Sequence, residues 1–215
     1  MTRLPLPVML LASALAAAAA ASAADKPLYI QDFDALQEVP DEIMQLNGEF
    51  TLVPDGTGKA MALTPTPLDT DNCLFGPPSK DAIAARARIR GSAKGHQSPT
   101  FGIGVNGVSG FILRLATAKK QVELVRDEEV LASKPYTWKS DTWTRFLLQV
   151  HPASPTSWVV EGKVWPDGEA EPAEWLVTTT SEKAPSPGRA SLWGVPYGGK
   201  PILFDNLEVA PAAVK

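Results

Sequence analysis

The 215-residue chain has one cysteine, two histidines and no cluster of Lys or Arg. A single Cys cannot close an intramolecular disulfide, so the fold must rest on apolar burial, and Cys73 reads as a small buried hydrophobe rather than a nucleophile. His96 and His151 have neither a second His nor a paired carboxylate at ligand spacing, which argues against zinc and leaves a Ser-His-Asp hydrolase without support. With 20 Lys+Arg against 24 Asp+Glu the net charge is −4, so the phosphate-neutralising charge that nucleic acid or anionic lipid requires is missing.

Long apolar runs are also scarce. The one present, 4–21, follows Arg3, is mostly Ala and ends in Ala21-Ser22-Ala23, the pattern of a secretory signal peptide covering 1–24. Pro5, Pro7 and Ser13 interrupt it, which disfavours a retained membrane anchor, and no Cys follows it to accept a lipid. The expected mature chain, 25–215, carries a net charge of −5 and is read as a single domain without a transmembrane segment. Export to the periplasm or exterior of a bacterial cell fits this pattern.

What remains lacks sustained helical periodicity and is rich in turn formers, with 18 Pro and 16 Gly after the signal. Segment 81–90 alternates, with Ile83, Ala85, Ala87 and Ile89 on one face and Arg86, Arg88 and Arg90 on the other, the period of a half-buried strand. Further strands are expected at 28–33, 49–54, 59–64, 100–105, 110–116, 121–126, 143–150, 158–165, 175–180, 189–195 and 201–209. The connections Asp55-Gly56, Asn106-Gly107, Asp127-Glu128-Glu129 and Pro166-Asp167-Gly168 are too short for crossover helices. The expectation is an all-β, two-sheet antiparallel β-sandwich, with 64–78 and 184–188 as surface loops.

Two motifs have competing readings. Gly102-Ile103-Gly104-Val105-Asn106-Gly107 matches the glycine pattern of dinucleotide sites, but a strand pattern follows it where a helix is needed, so it reads as strand plus turn. Gly107-Val108-Ser109-Gly110 lacks the strand–helix context and the spacing of a nucleophile elbow.

All six Trp lie between Trp138 and Trp193. Trp143, Trp158 and Trp165 fall in strands and read as core, whereas Trp193 and Tyr197 lie among Gly and Pro and are better placed to meet a ligand. Alternation offers Arg88, Arg114, Glu123, Arg145 and Glu161 as outward-facing strand residues. They would form either a polar binding face or a solvated one.

Trp143-Thr144-Arg145-Phe146, Val160-Glu161-Gly162-Lys163-Val164-Trp165-Pro166-Asp167-Gly168, Glu171-Pro172, Trp175 and the closing Leu203-Phe204-Asp205-Asn206-Leu207-Glu208-Val209 resemble secreted bacterial members of the concanavalin A-like lectin/glucanase superfamily, including its laminin-G-like branch. The resemblance implies a jelly-roll sandwich that binds polysaccharide or another glycan, with Arg88, Arg114, Arg145, Trp193 and Tyr197 as ligand-binding residues. It also implies a structural Ca²⁺ joining the first and last strands through Asp32 and Asp205. The E-x-D-x-E strand of the laminarinase-like branch is missing, so a non-catalytic role is expected. The alternatives are a glycoside or keto-sugar hydrolase, for which Glu123 and Glu161 are the strand-borne carboxylates, and a protein-interaction or envelope-structural domain.

Overall fold

Residues with positive φ in several tight turns, among them Gly56, Gly107, Asp127, Glu128 and Gly168, reverse the chain between strands. The computed structural model describes residues 26–65, 69–80, 82–197 and 199–213; the expected signal peptide, Asp81 and Gly198 lie outside them. The strands are β1 (Tyr29–Gln31), β2 (Met44–Asn47), β3 (Phe50–Asp55), β4 (Gly58–Leu63), β5 (Asp71–Ser79), β6 (Ile83–Arg90), β7 (Thr100–Val105), β8 (Phe111–Ala116), β9 (Gln121–Arg126), β10 (Glu129–Pro135), β11 (Thr144–Ser154), β12 (Ser157–Pro166), β13 (Val177–Ser181), β14 (Gly188–Val195) and β15 (Ile202–Pro211). A 3-10 turn, Thr117–Lys119, joins β8 to β9.

The strands form two antiparallel sheets stacked as a sandwich. One runs β13-β12-β11-β6-β15-β4-β3, with β1 also paired to β15, and the other runs β10-β9-β8-β7-β14-β5-β2. Alternation places Phe146, Leu148 and Val150 of β11 and Phe101, Ile103 and Val105 of β7 in the space between the sheets. Seven buried phenylalanines, Phe33, Phe50, Phe75, Phe101, Phe111, Phe146 and Phe204, fill that core. Each contributes about 2–3 kcal/mol by leaving water. The Phe101 and Phe146 rings meet edge-on across the interface, with centroids 6.0 Å apart.

Three strands depart from the sequence expectation. The Pro-rich stretch expected to be a loop is β5 from Asp71 onward, because Cys73 and Phe75 anchor it in the core while Pro77 and Pro78 fall at its end, where few ladder bonds are lost. β2 is exposed along its length, so no burial alternation marks it. Glu129 opens β10 rather than belonging to the turn. The turn is a two-residue hairpin of Asp127 and Glu128, with φ 50° and 66°. Gly102 to Val105 lie in a strand, as expected.

Trp158 packs against the main core, while Trp143 and Trp165 join small clusters on the outer side of the eight-stranded sheet.

Candidate functional site

Because side chains alternate across a strand, the seven-stranded sheet offers one residue per strand to its outer face at each register position. One such row is unbroken across all seven strands: Asn47, Asn72, Trp193, Gly102, Arg114, Glu123 and Ser133. The next row on the same face is Met44, Leu74, Ser191, Gly104, Ile112, Val125 and Val130. A polar row carrying an indole thus lies beside a mainly apolar one, the mixture of surfaces that a sugar ring presents.

A groove of about 550 Å³ follows β7 over this face. Thr100 and Phe101 line one end, Val108 and Ser109 the other, and Asn72, Trp193 and Arg114 lie between. Glycine at two successive outward positions of β7, 102 and 104, leaves no side chain between Trp193 and Arg114. A Cβ at Gly104 would lie 3.1 Å from Trp193 Nε1, so the indole settles against the bare backbone there. Trp193 Nε1 donates to Ser191 Oγ at 2.8 Å, which fixes the ring and leaves its face as the surface available to a ligand.

Electrostatics fix the other wall. Arg114 donates from Nε at 2.7 Å and Nη2 at 2.6 Å to Oε2 of Glu123, a carboxylate with no solvent exposure. Lys119 Nζ at 3.0 Å and Gln121 Nε2 at 2.7 Å donate to Oε1. Burial alone would raise the Glu123 carboxyl, but the hydrogen bonds from Lys119, Gln121 and Arg114 together outweigh it and hold the group below the usual glutamate range. Glu123 is therefore an ionised anchor whose two oxygens are both occupied, not a proton donor.

Asn72 stands on the opposite side of Trp193. It is only 5% exposed, and its Oδ1 has no hydrogen-bond partner, although buried acceptors are nearly always satisfied.

The expected residues divide between two faces. Arg114 and Trp193 line the groove, and Glu123 supports it from below. Arg88 and Arg145 instead lie on the outer face of the eight-stranded sheet, in register with Asp205. There Arg145 Nε meets Asp167 Oδ1 at 2.5 Å, while Arg88 reaches Asp205 Oδ2 at 2.5 Å and Asp167 Oδ2 at 3.4 Å and lies over the Trp143 ring at 4.4 Å. Glu161 is on that same far face, accepting from Gln149 Nε2 at 2.7 Å. Glu123 and Glu161 thus sit on opposite sides of the sandwich, and the expected carboxylate pair cannot close on one substrate. Tyr197 is 42% exposed in the β14–β15 loop and does not line the groove.

Asp32 and Asp205 do not suit calcium. Asp205 Oδ2 is taken by Arg88 and Oδ1 accepts the Asn206 N–H at 2.7 Å; Asp32 is exposed and accepts the Asp34 N–H at 3.2 Å. Among the described residues no group of three His, Cys, Asp or Glu side chains could hold a metal ion.

Sequence reasoning missed Asn47, Asn72, Gly102, Gly104 and Ser191. The glycines were legible, because two outward glycines on one strand mark a place where something approaches the backbone.

No family model and no curated protein matches the chain in sequence. Solved structures do match in shape. A mutant form of the Emp46p carbohydrate recognition domain superposes with a TM-score of 0.58 at 14% identity, covering 88% of this chain and 99% of that one. A Bacillus subtilis protein of unknown function with a galectin-like fold gives 0.56 at 11% identity, covering 89% and 99%. The carbohydrate-binding module CBM66 from Bacillus subtilis gives 0.54 at 10% identity, covering 79% and 95%. At these identities the likeness is one of fold: the chain is a lectin-like jelly-roll β-sandwich.

Proposed function

We propose that the chain is an exported, non-catalytic carbohydrate-binding β-sandwich of the concanavalin A-like superfamily, and that its glycan lies in the groove along β7. The observation that carries this reading is the row Asn72, Trp193, Gly102, Arg114, which sets an indole between an amide and a guanidinium. The ring supplies a stacking surface and the flanking groups supply hydrogen bonds to hydroxyls. Similar folds named for carbohydrate recognition support the reading, and the sequence pattern of 1–24 supports export.

Catalysis is disfavoured by the site's chemistry. Glu123 is committed to Arg114, Lys119 and Gln121, and Glu161 faces the other way. A metal-dependent site through Asp32 and Asp205 is not part of the proposal.

The test is a binding screen of residues 25–215 against a broad polysaccharide panel, with reducing-sugar release measured in the same wells and W193A run in parallel. Binding without release, lost in a W193A protein of unchanged circular dichroism, is the expected result. Release of reducing ends would replace this reading with the hydrolase. Absence of binding to every polymer by folded protein would favour a protein-interaction domain.

A further inference from the structure

The Arg114–Glu123 pair leaves part of the guanidinium unused. An arginine carries five N–H donors in a planar fork, and here one edge of that fork, Nε with Nη2, is closed on Oε2 of Glu123. Nη1 has no hydrogen-bond partner among the described residues, and Nη2 keeps a second N–H beside it. The end edge, Nη1 with Nη2, is therefore what Arg114 has left for the groove that it lines. Such an edge matches the two oxygens of a carboxylate in a bidentate pair. Because the wholly buried Glu123 holds the guanidinium by two bonds, the fork is ordered before a ligand arrives.

Charge favours an anion at this point. Arg114 and Lys119 share the single carboxylate of Glu123, two cations against one anion, and the Lys119 side chain is 59% exposed. The acidic end of the groove, Asp127 and Glu128, begins just past β9, about 13 Å from Glu123 at the rise of a strand. That exceeds the Debye length of about 10 Å at 0.1 M salt, and Asp127 is itself paired with Lys183 at 3.1 Å.

The rest of the row supplies a seat for the ring. Gly102 stands in register between Trp193 and Arg114, so a strand without a side chain separates the indole from the guanidinium. In a uronic acid the carboxylate is carried at the edge of the ring. A ring lying face-on to Trp193 or to the bare backbone of Gly102 directs that edge sideways, toward Arg114.

We infer that the groove takes glycans bearing uronic acid residues, with one uronate carboxylate held bidentate on the Nη1–Nη2 edge of Arg114 and Lys119 adding its charge. This rests on the proposed glycan-binding role of the same groove and names its ligand class.

The experiment compares matched ligands. Titration calorimetry of residues 25–215 is run with oligogalacturonates, oligomannuronates and glucuronate-bearing xylo-oligosaccharides, each against its carboxyl-reduced counterpart, in which CH2OH replaces the carboxylate and every hydroxyl stays. The best acidic ligand is expected to bind about tenfold or more tightly than its reduced form, the scale of a charge-assisted hydrogen-bonded pair. R114K keeps a cation beside Glu123 but lacks the fork, so it should remove most of that preference. K119Q, on an exposed turn, should narrow the preference about two- to threefold at low salt and less at about 0.5 M NaCl.

Acidic and reduced forms bound alike by wild type, with binding lost in W193A, would overturn the uronate assignment while leaving the glycan-binding reading in place. A preference that survives intact in an R114K protein of unchanged circular dichroism would also overturn it, because the carboxylate would then lie elsewhere. Folded protein that binds neither these ligands nor any polymer of the polysaccharide panel would overturn both readings. The comparison of acidic with reduced ligand uses wild type alone, so it stands whether or not R114K folds.

Discussion

Arg114 and Glu123 face each other across β8 and β9, and a single carboxylate oxygen, Glu123 Oε2, receives both Nε at 2.7 Å and Nη2 at 2.6 Å of the guanidinium. The carboxylate is wholly buried, whereas the Arg114 side chain keeps 31% of its surface. The arrangement presents a cation to the groove while hiding the anion that positions it. It also ties the stability of the seven-stranded sheet to the integrity of the site.

Replacing Glu123 by Gln should therefore destabilise the fold by about 1–2 kcal/mol at pH 7, below the scale for breaking a fully buried pair because Arg114 and Lys119 keep part of their surface in water. Its folded carboxyl titrates below the usual glutamate range, so in the window between the two values the unfolded chain binds more protons. The stabilisation is complete above the ordinary glutamate range and drains away as pH falls from about 4.3 toward the depressed folded value. Urea unfolding of wild type and E123Q at several pH values should show two curves that converge in acid. Parallel curves would mean the charge of Glu123 is not what stabilises the sheet.

Gly102→Ala and Gly104→Ala should separate stability from binding. A Cβ at Gly102 would overlap the Leu113 carbonyl oxygen and lie 2.7 Å from Arg114 Cα, both backbone atoms that cannot rotate away. G102A should cost about 1–3 kcal/mol. A Cβ at Gly104 would meet the Ser191 hydroxyl, which can rotate, but in doing so it would release Trp193 Nε1 and tilt the indole. G104A should lose less stability than G102A and weaken polysaccharide binding about tenfold or more in calorimetry, the scale of a lost aromatic contact. Wild-type affinity in G104A would show that the ring does not need this seat.

How much of this was legible in the sequence depended on which physical signal each residue carried. Segment 81–90 announced β6 because small apolar residues and arginines alternate there, and the glycines of 102–107 read as strand and turn because no helix pattern follows them. β2 stayed hidden because all four of its residues are exposed, so no alternation exists to be read. β5 was masked by Pro77 and Pro78, although Cys73 and Phe75 are the residues that decide its place. Missing those two strands meant missing Asn47 and Asn72.

The division of Arg88, Arg145 and Glu161 from Arg114 and Glu123 had a different origin. Alternation correctly says that each points outward from its own strand, but it does not say which of two sheets owns the strand. That is decided by long-range pairing, such as β6 with β15 and β7 with β14.

On the far face, Arg88 neutralises Asp205, whose side chain is only 3% exposed. Burial pushes the Asp205 carboxyl above the usual aspartate range, even though Arg88 and the Asn206 N–H pull it down. Arg88→Ala would leave that carboxylate buried without its guanidinium, a change expected to cost about 3 kcal/mol at pH 7. A group raised in the folded state binds protons more readily there than in the unfolded chain, so the loss should shrink as pH falls through that raised value and Asp205 becomes neutral. Chemical denaturation of R88A at neutral pH and again at about pH 4.5, close to the ordinary carboxylate range, measures this. An R88A deficit that grows in acid would contradict the pairing. Polysaccharide binding at neutral pH should be unaffected as long as the variant remains folded, since Arg88 lies across the sandwich from the groove.

Cys73 gives a probe of the groove from its underside. It follows Asn72 on β5, so it points into the core with no exposed surface while Asn72 faces the groove. Burial pushes its thiol up to about 12, against smaller lowering effects from the Leu192 backbone and Arg189. A thiolate is the reactive form, so at neutral pH the native protein should resist a disulfide reagent, and labelling should proceed only through opening of the sandwich. A glycan that binds the closed sheet stabilises it against that opening by a factor set by its concentration relative to Kd. Labelling should slow about tenfold at roughly ten times Kd of a polysaccharide that binds, and the protection should vanish in W193A. Native labelling as fast as in urea would contradict the burial of Cys73, and a rate unchanged by saturating polysaccharide would show that the ligand does not discriminate the closed sheet from the open one.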